Sequence, residues 1–191
     1  MIYKEKIEKI SKHLSYILRH HPESIEITLD ETGWADVDLI IKNSQNKIEF
    51  TLEDLEEVVR TSDKQRFKFS DDKKMIKANQ GHSVSVDLGL SPITPPFKLY
   101  HGTAPRFIPS IMAEGLKKME RHHVHLYSEE NMQKAKDTGT RHQKGAEAVV
   151  LIIEAKQMFN EGHKFYKTDN DVYLTDAVPS KYIKIDEKRK N

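Results

Sequence analysis

The chain contains no cysteine. That excludes a disulfide scaffold, zinc held by thiolates and catalysis by a thiol, and it fits a reducing cytoplasm. No apolar run approaches the ~20 residues that cross a bilayer. The first ten residues, MIYKEKIEKI, alternate charge with isoleucine and do not resemble a signal peptide. No G-x-G-x-x-G follows a predicted strand and no Walker-type lysine loop is present, so a bound nucleotide needs a site of another kind. A large charge of either sign is also missing. The 31 Lys and Arg residues against 30 Asp and Glu give a net charge of +1, which excludes a uniformly basic nucleic-acid coat. The balance is uneven: residues 1–97 hold 14 basic against 17 acidic side chains (−3), and residues 98–191 hold 17 against 13 (+4). A polyanionic ligand therefore depends on a local cluster of arginines.

The 191 residues suffice for one large domain or two small ones. The chain is polar, with 32% charged residues and a mean hydropathy of −0.70, but its apolar residues are regularly spaced, as in a folded protein. Ile7, Ile10, Leu14, Ile17 and Leu18 recur at helical spacing and predict a helix over about residues 3–20. Pro22 ends it by pushing the preceding residue out of the α region. Trp34 begins a short extended piece after a turn at Gly33, and Asp36 is a candidate N-cap for a helix through Ile41. Thr51, with Asp54 three positions on, starts another helix as a capping box. QRFKFSDDKKMIKAN reads as strand, Asp-Asp turn and strand. Three helices followed by a hairpin suggest a winged-helix-like module.

GHSVSVDLGLSPITPPFKL holds three of the seven prolines and reads as an extended linker centred near residues 91–97. Beyond it the pattern changes. LYHGT is a strand ending in a glycine turn, FIPSIMAEGL a short helix closed by Gly115, HHVHLYS a strand and NMQKAKDTG a helix. AVVLIIEA is the nearly continuous apolar run of a buried strand, and the remainder gives two or three more strands. The fold class expected is α+β, with a lobe over residues 1–90 and a second over residues 98–191.

Several stretches carry chemistry-bearing side chains, each with a plain structural alternative. Arg19 and His20 in LRHHPE cap a helix C-terminus, where cations are favoured, or present a phosphate-matching fork beside an imidazole. Arg66 begins a strand whose Phe67 and Phe69 face away from it, leaving it on a solvated face or on a phosphate. His101 stands at a strand end beside Gly102, which permits close backbone approach by a ligand. RHHVHL places His123 and His125 on one strand face and Val124 and Leu126 on the other. The H-x-H spacing suits a metal completed by His101 or Glu120, or simply a wet strand edge. Arg141, His142 and Lys144 lie in a glycine-bounded loop, open to solvent or to an anion.

Taken together and in order, LSYILRHHPE, GWADVDLII, SDKQRFKFS, IKANQGHSV, LYHGT, RHHVHLYS and KFYKTDNDVYLTDAVPSKYI resemble the NAD-dependent tRNA 2′-phosphotransferases over nearly the whole chain. No single motif is decisive; the ordered set is specific. The resemblance implies a winged-helix lobe over residues 1–90 that meets RNA and an ADP-ribosyltransferase-like β-sandwich lobe over residues 98–191 that holds NAD. It implies that an internal RNA 2′-phosphate attacks the nicotinamide ribose of NAD and expels nicotinamide. The ribose 2″-hydroxyl then attacks phosphorus, giving ADP-ribose 1″,2″-cyclic phosphate and a 2′-hydroxyl. An alternative is ADP-ribosyl transfer to another acceptor, such as a terminal nucleic-acid phosphate.

By the same resemblance Arg19, His20, Arg66 and Arg121 form the catalytic Arg-His-Arg-Arg set, with Arg141 the second choice for its last member or a contact to NAD. His101, Gly102, Thr103, His125 and Val172 take the NAD-binding positions. Many ADP-ribosyltransferases carry Glu where Val172 stands, and an apolar residue there avoids repelling an anionic acceptor. NAD is expected as a consumed co-substrate and no metal is expected. The partner expected is a tRNA-like RNA from splicing or processing, and the protein is expected to be a cytoplasmic monomer without a membrane association.

Overall fold

The first helix forms where the isoleucine and leucine spacing places it. In the computed structural model, which describes residues 2–62, 64–140 and 148–186, α1 spans Ile2–Arg19 and buries Ile10, Leu14, Ile17 and Leu18 completely. A single 3-10 turn, Pro22–Ile25, follows. The strand β1 (Trp34–Asp36) leads into α2 (Val37–Ser44), which runs three residues further than its apolar pattern suggests. The Asp36 side chain accepts the Leu39 N–H at 2.8 Å and caps it. The helix α3 (Leu52–Thr61) opens with the full capping box: Thr51 Oγ1 accepts from the Asp54 N–H and the Asp54 carboxylate accepts from the Thr51 N–H at 3.0 Å. Lys6 donates to the same carboxylate at 2.6 Å and ties α1 to α3.

The strands β2 (Phe67–Phe69) and β3 (Met75–Ala78) form the expected hairpin, and β1 adds to it in the antiparallel order β1-β3-β2. Its inner face joins Ala35, Ile76, Phe67 and Ala78 to the helices in one hydrophobic core. This unit covers residues 1–89 and the second covers residues 90–191.

The second unit begins with the proline-rich stretch, and here the structure departs from a free spacer. The Ile93 N–H donates to the Phe165 carbonyl at 2.8 Å, the Phe97 carbonyl accepts from Lys156 at 3.2 Å, and Ile93 packs against the second core. The proline run is laid onto its own unit because it carries apolar side chains with somewhere to bury them.

The strand β4 (Leu99–Thr103) contains Gly102 and Thr103 rather than ending in a turn at them. Then come α4 (Ile108–Glu114), β5 (Leu116–Lys117), β6 (Val124–Tyr127) and α5 (Met132–Thr140). They are followed by β7 (Val149–Ile153), α6 (Ala155–Asn160), β8 (Tyr166–Lys167), β9 (Val172–Thr175), β10 (Ala177–Val178) and β11 (Ile183–Ile185). Six strands make an antiparallel sheet in the order β11-β7-β4-β6-β9-β8, and β5 pairs with β10 as a separate ribbon. The architecture is α+β. Among the described residues, no helix is long and apolar enough to cross a membrane.

The helix α5 lies unusually close to β4. A Cβ at Gly102 would collide with the Ala135 carbonyl, and one at Gly139 would stand 2.6 Å from the Ala148 Cβ and 2.8 Å from the Thr103 N. Two glycines in facing elements let the backbones touch. Gly102→Ala is therefore expected to lower the free energy of unfolding by roughly 1–3 kcal/mol, the cost of overpacking a dense interior. An alanine variant as stable as the wild type in urea titration would show that α5 is free to move away.

Candidate active site

In the first unit the sequence-predicted residues converge through main-chain bonds. Arg19 is the last residue of α1, where helix carbonyls lack intrahelical donors. Its carbonyl accepts the Ser83 N–H at 2.9 Å and the Val84 N–H at 3.3 Å. Its guanidinium lies 5.7 Å from the centre of the Phe67 ring, a cation–π contact. Phe67 directly follows Arg66, so the end of α1 and the start of β2 meet at this ring. Phe67 is buried and Arg66 half-buried, as strand alternation requires.

The Arg66 carbonyl accepts the Asn79 N–H at 2.9 Å, and the Asn79 carboxamide donates to the Gln65 carbonyl at 2.6 Å. His20 is half-buried, and its Nδ1 lies 2.9 Å from the Ser83 hydroxyl. The segment from Asn79 to Ser83 thus bonds Arg66 at one end and Arg19 and His20 at the other. Arg19, His20 and Arg66 are brought together. Side chains of these types can bind a phosphate and spread its charge. Ser83 and Asn79 escape a residue-by-residue reading, because only the fold shows what the ANQGHS stretch touches.

In the second unit His101, His125 and Val172 stand on three neighbouring strands, β4, β6 and β9. The register pairs Tyr100 with Tyr127 and Tyr127 with Val172, so His125, Tyr127 and Val172 share one sheet face. Alternation puts His101 on the other face. Even so, His101 reaches His125. Tyr100 with Tyr127 is the one register pair between β4 and β6, and beside it the His101 Nδ1–H donates to the His125 carbonyl at 3.0 Å. A carbonyl can only accept, so the neutral ring carries its proton on Nδ1 and offers Nε2 as an acceptor.

Burial lowers the His101 pKa, the bond to His125 opposes that, and the positive charge of Arg121 adds to it. Arg121 itself is exposed, in the turn before β6. Val172 is buried, and its N–H donates to the Thr168 hydroxyl at 3.1 Å, which donates in turn to Asn170 at 2.6 Å.

Gly102 and Thr103 are both buried. The close approach at Gly102 is made by the Ala135 carbonyl of α5, not by the open side of a turn. His123 and His125 do lie opposite the buried Val124 and Leu126, and His123 packs edge-on against Tyr166 with ring centres 5.7 Å apart. Among the described residues no three His, Asp or Glu side chains gather as a metal-binding set. Arg141, with His142 and Lys144, lies outside the described residues.

The His101 environment has a pH signature. Its folded-state pKa lies below the ordinary value, so the unfolded chain binds the proton more tightly. The neutral form's contribution is whole above the ordinary histidine pKa of about 6.5 and is lost as pH falls below it. His101→Gln should flatten the decline in melting temperature between about pH 7 and 5, and equal slopes in the two proteins would exclude His101 as its source.

Comparison with known proteins places these features. Residues 5–177 match the model of the family described as RNA 2′-phosphotransferase, Tpt1 / KptA family. A protein named "Probable RNA 2'-phosphotransferase" from Hahella chejuensis is 45% identical over 182 residues, covering 95% of either chain. Its namesake from Agrobacterium fabrum is 50% identical over 176 residues, covering 92% of either chain. Another, from Fusobacterium nucleatum, is 45% identical over 177 residues, covering 92% of this chain and 97% of its own. With the match running from residue 5 to residue 177 through both units, the chain belongs to the RNA 2′-phosphotransferase family.

Proposed function

We propose that this protein transfers an internal RNA 2′-phosphate to NAD, by way of an ADP-ribosylated RNA intermediate. The products are nicotinamide, ADP-ribose 1″,2″-cyclic phosphate and RNA with a 2′-hydroxyl. Family membership across residues 5–177 carries this reading. In the first step a 2′-phosphate oxygen bonds to the anomeric carbon of the nicotinamide ribose, and nicotinamide leaves with the electrons of the glycosidic bond. In the second the ribose 2″-oxygen bonds to phosphorus and the bond from phosphorus to the RNA 2′-oxygen breaks. The hydroxyl proton ends on that 2′-oxygen.

A phosphate ester is a weak nucleophile, and both steps move charge across its oxygens, so the protein's part is to orient and neutralise. Arg19 and Arg66 clamp the 2′-phosphate in this reading, and the bonding of both backbones to the segment from Asn79 to Val84 supports it. His20 contacts the same phosphate and exchanges the proton of the second step. Arg121 is assigned as the last phosphate-binding arginine, with Arg141 the second choice. His101, Gly102, Thr103, His125 and Val172 serve NAD. A neutral His101 offering Nε2 fits a ribose hydroxyl, and a buried valine at position 172 puts no charge against an incoming phosphate. Residues 1–89 then act as a winged-helix-like RNA lobe and residues 90–191 as an ADP-ribosyltransferase-like lobe. A spliced, tRNA-like RNA in the cytoplasm is the substrate this reading favours.

A 2′-phosphorylated oligoribonucleotide should lose its phosphate only when NAD is added, with one nicotinamide formed per phosphate. Phosphate release that proceeds equally without NAD overturns the proposal, and ADP-ribose left on an RNA or DNA end would instead favour transfer to a terminal phosphate. Arg66→Ala and Arg121→Ala should each slow the second step by about 100-fold or more, the scale of losing one preorganised oxyanion donor. ADP-ribosylated RNA should then accumulate on denaturing gels. Wild-type rates in both variants would remove these two residues from the phosphate clamp.

A further inference from the structure

The segment from Asn79 to Ser83 does more than close the first unit. Gly81 turns it with φ +88°, a conformation that favours glycine. Beyond the turn, Ser83 is bonded to two successive residues at the end of α1. Its N–H donates to the Arg19 carbonyl at 2.9 Å, and its hydroxyl lies 2.9 Å from His20 Nδ1 and 3.5 Å from that same Arg19 carbonyl. From this geometry we infer that Ser83 is the positioning residue for His20, holding the ring in one orientation and one tautomer throughout its proton cycle.

A hydroxyl has one proton to give and can accept another. With its own proton directed to the Arg19 carbonyl, the Ser83 oxygen accepts from Nδ1–H. The neutral ring then has its basic lone pair on Nε2. When Nε2 takes a proton, the Nδ1–H bond to Ser83 is unchanged, so the ring does not turn between base and acid. The carbonyl end of α1, where the helix dipole is negative, stabilises the protonated ring. The same backbone bond that completes the helix sets the hydroxyl's place. In this reading Ser83 acts through His20. The inference rests on the assignment of His20 to proton exchange with the 2″-hydroxyl and the RNA 2′-oxygen.

Two measurements test it. In nitrogen-15 imidazole NMR of the whole protein, the neutral His20 of the wild type should show a single tautomer protonated on Nδ1. Ser83→Ala should shift it toward the Nε2-protonated form preferred by an unconstrained ring, and Ser83→Thr should restore the wild-type spectrum. Identical spectra in wild type and Ser83→Ala overturn the inference, whatever reaction the protein performs.

In turnover of a 2′-phosphorylated oligonucleotide with NAD, Ser83→Ala should lower kcat about 10- to 100-fold, within the range that positioned acid–base catalysis supplies. KM should move less than about twofold if uniform substrate binding is untouched. In a His20→Ala background the same change should have no effect, since residues acting as one unit are not additive. An equal loss in both backgrounds, or a loss confined to KM, overturns the positioning role. If the wild type fails to use this substrate, the functional proposal falls and the NMR result alone decides the role of Ser83.

Discussion

The contact of one backbone on another organises the second unit. Where α5 meets β4, Gly102 and Gly139 leave no side chain between them, and the Ala135 carbonyl lies against the strand. That contact buries Gly102 and Thr103 and fixes the height of β4 beneath the helix. With β7 paired along its whole length on one side, β4 is held in place. On the other side it shares with β6 the single register pair of Tyr100 and Tyr127. His101 bridges the rest with its ring. A histidine bonded from one strand to the next has its proton position set by the carbonyl it meets. An imidazole so constrained gives a ligand a fixed acceptor rather than a mobile one.

The first unit handles the opposite problem, gathering positive charge in a segment of acidic balance. Arg19 and Arg66 come from distant parts of the chain, and the fold ties both to one short segment. It does so through the main chain. The Arg19 carbonyl and the Arg66 carbonyl each accept from the stretch that runs from Asn79 to Val84. The Phe67 ring adds a cation–π contact to Arg19.

Much of the secondary structure was legible because its causes are local. The apolar spacing from Ile7 to Leu18, the Asp36 cap and the Thr51–Asp54 box act over three or four residues, and each is found where the residues imply it. The short strands β5 and β10 were not visible, since each is two residues long and is defined only by its distant partner. The proline-rich stretch read as a spacer because composition records its stiffness but not the apolar surface it lies on. Gly102 read as a turn residue for the same reason. A glycine signals that space is needed and does not say what fills it.

The sequence by itself determined the helices other than α6, the hairpin and the family, for those follow from periodicity, capping chemistry and an ordered set of motifs. It also marked Arg19, His20, Arg66, His101 and His125 as side chains of chemical interest. Only the tertiary structure decided how they are held. His101 finds the His125 carbonyl 24 residues away and His20 finds Ser83 at a distance of 63 residues. No local preference encodes such pairs. They form because burial of the two hydrophobic cores brings their strands and helix ends together, and polar groups drawn in by that packing must then satisfy one another.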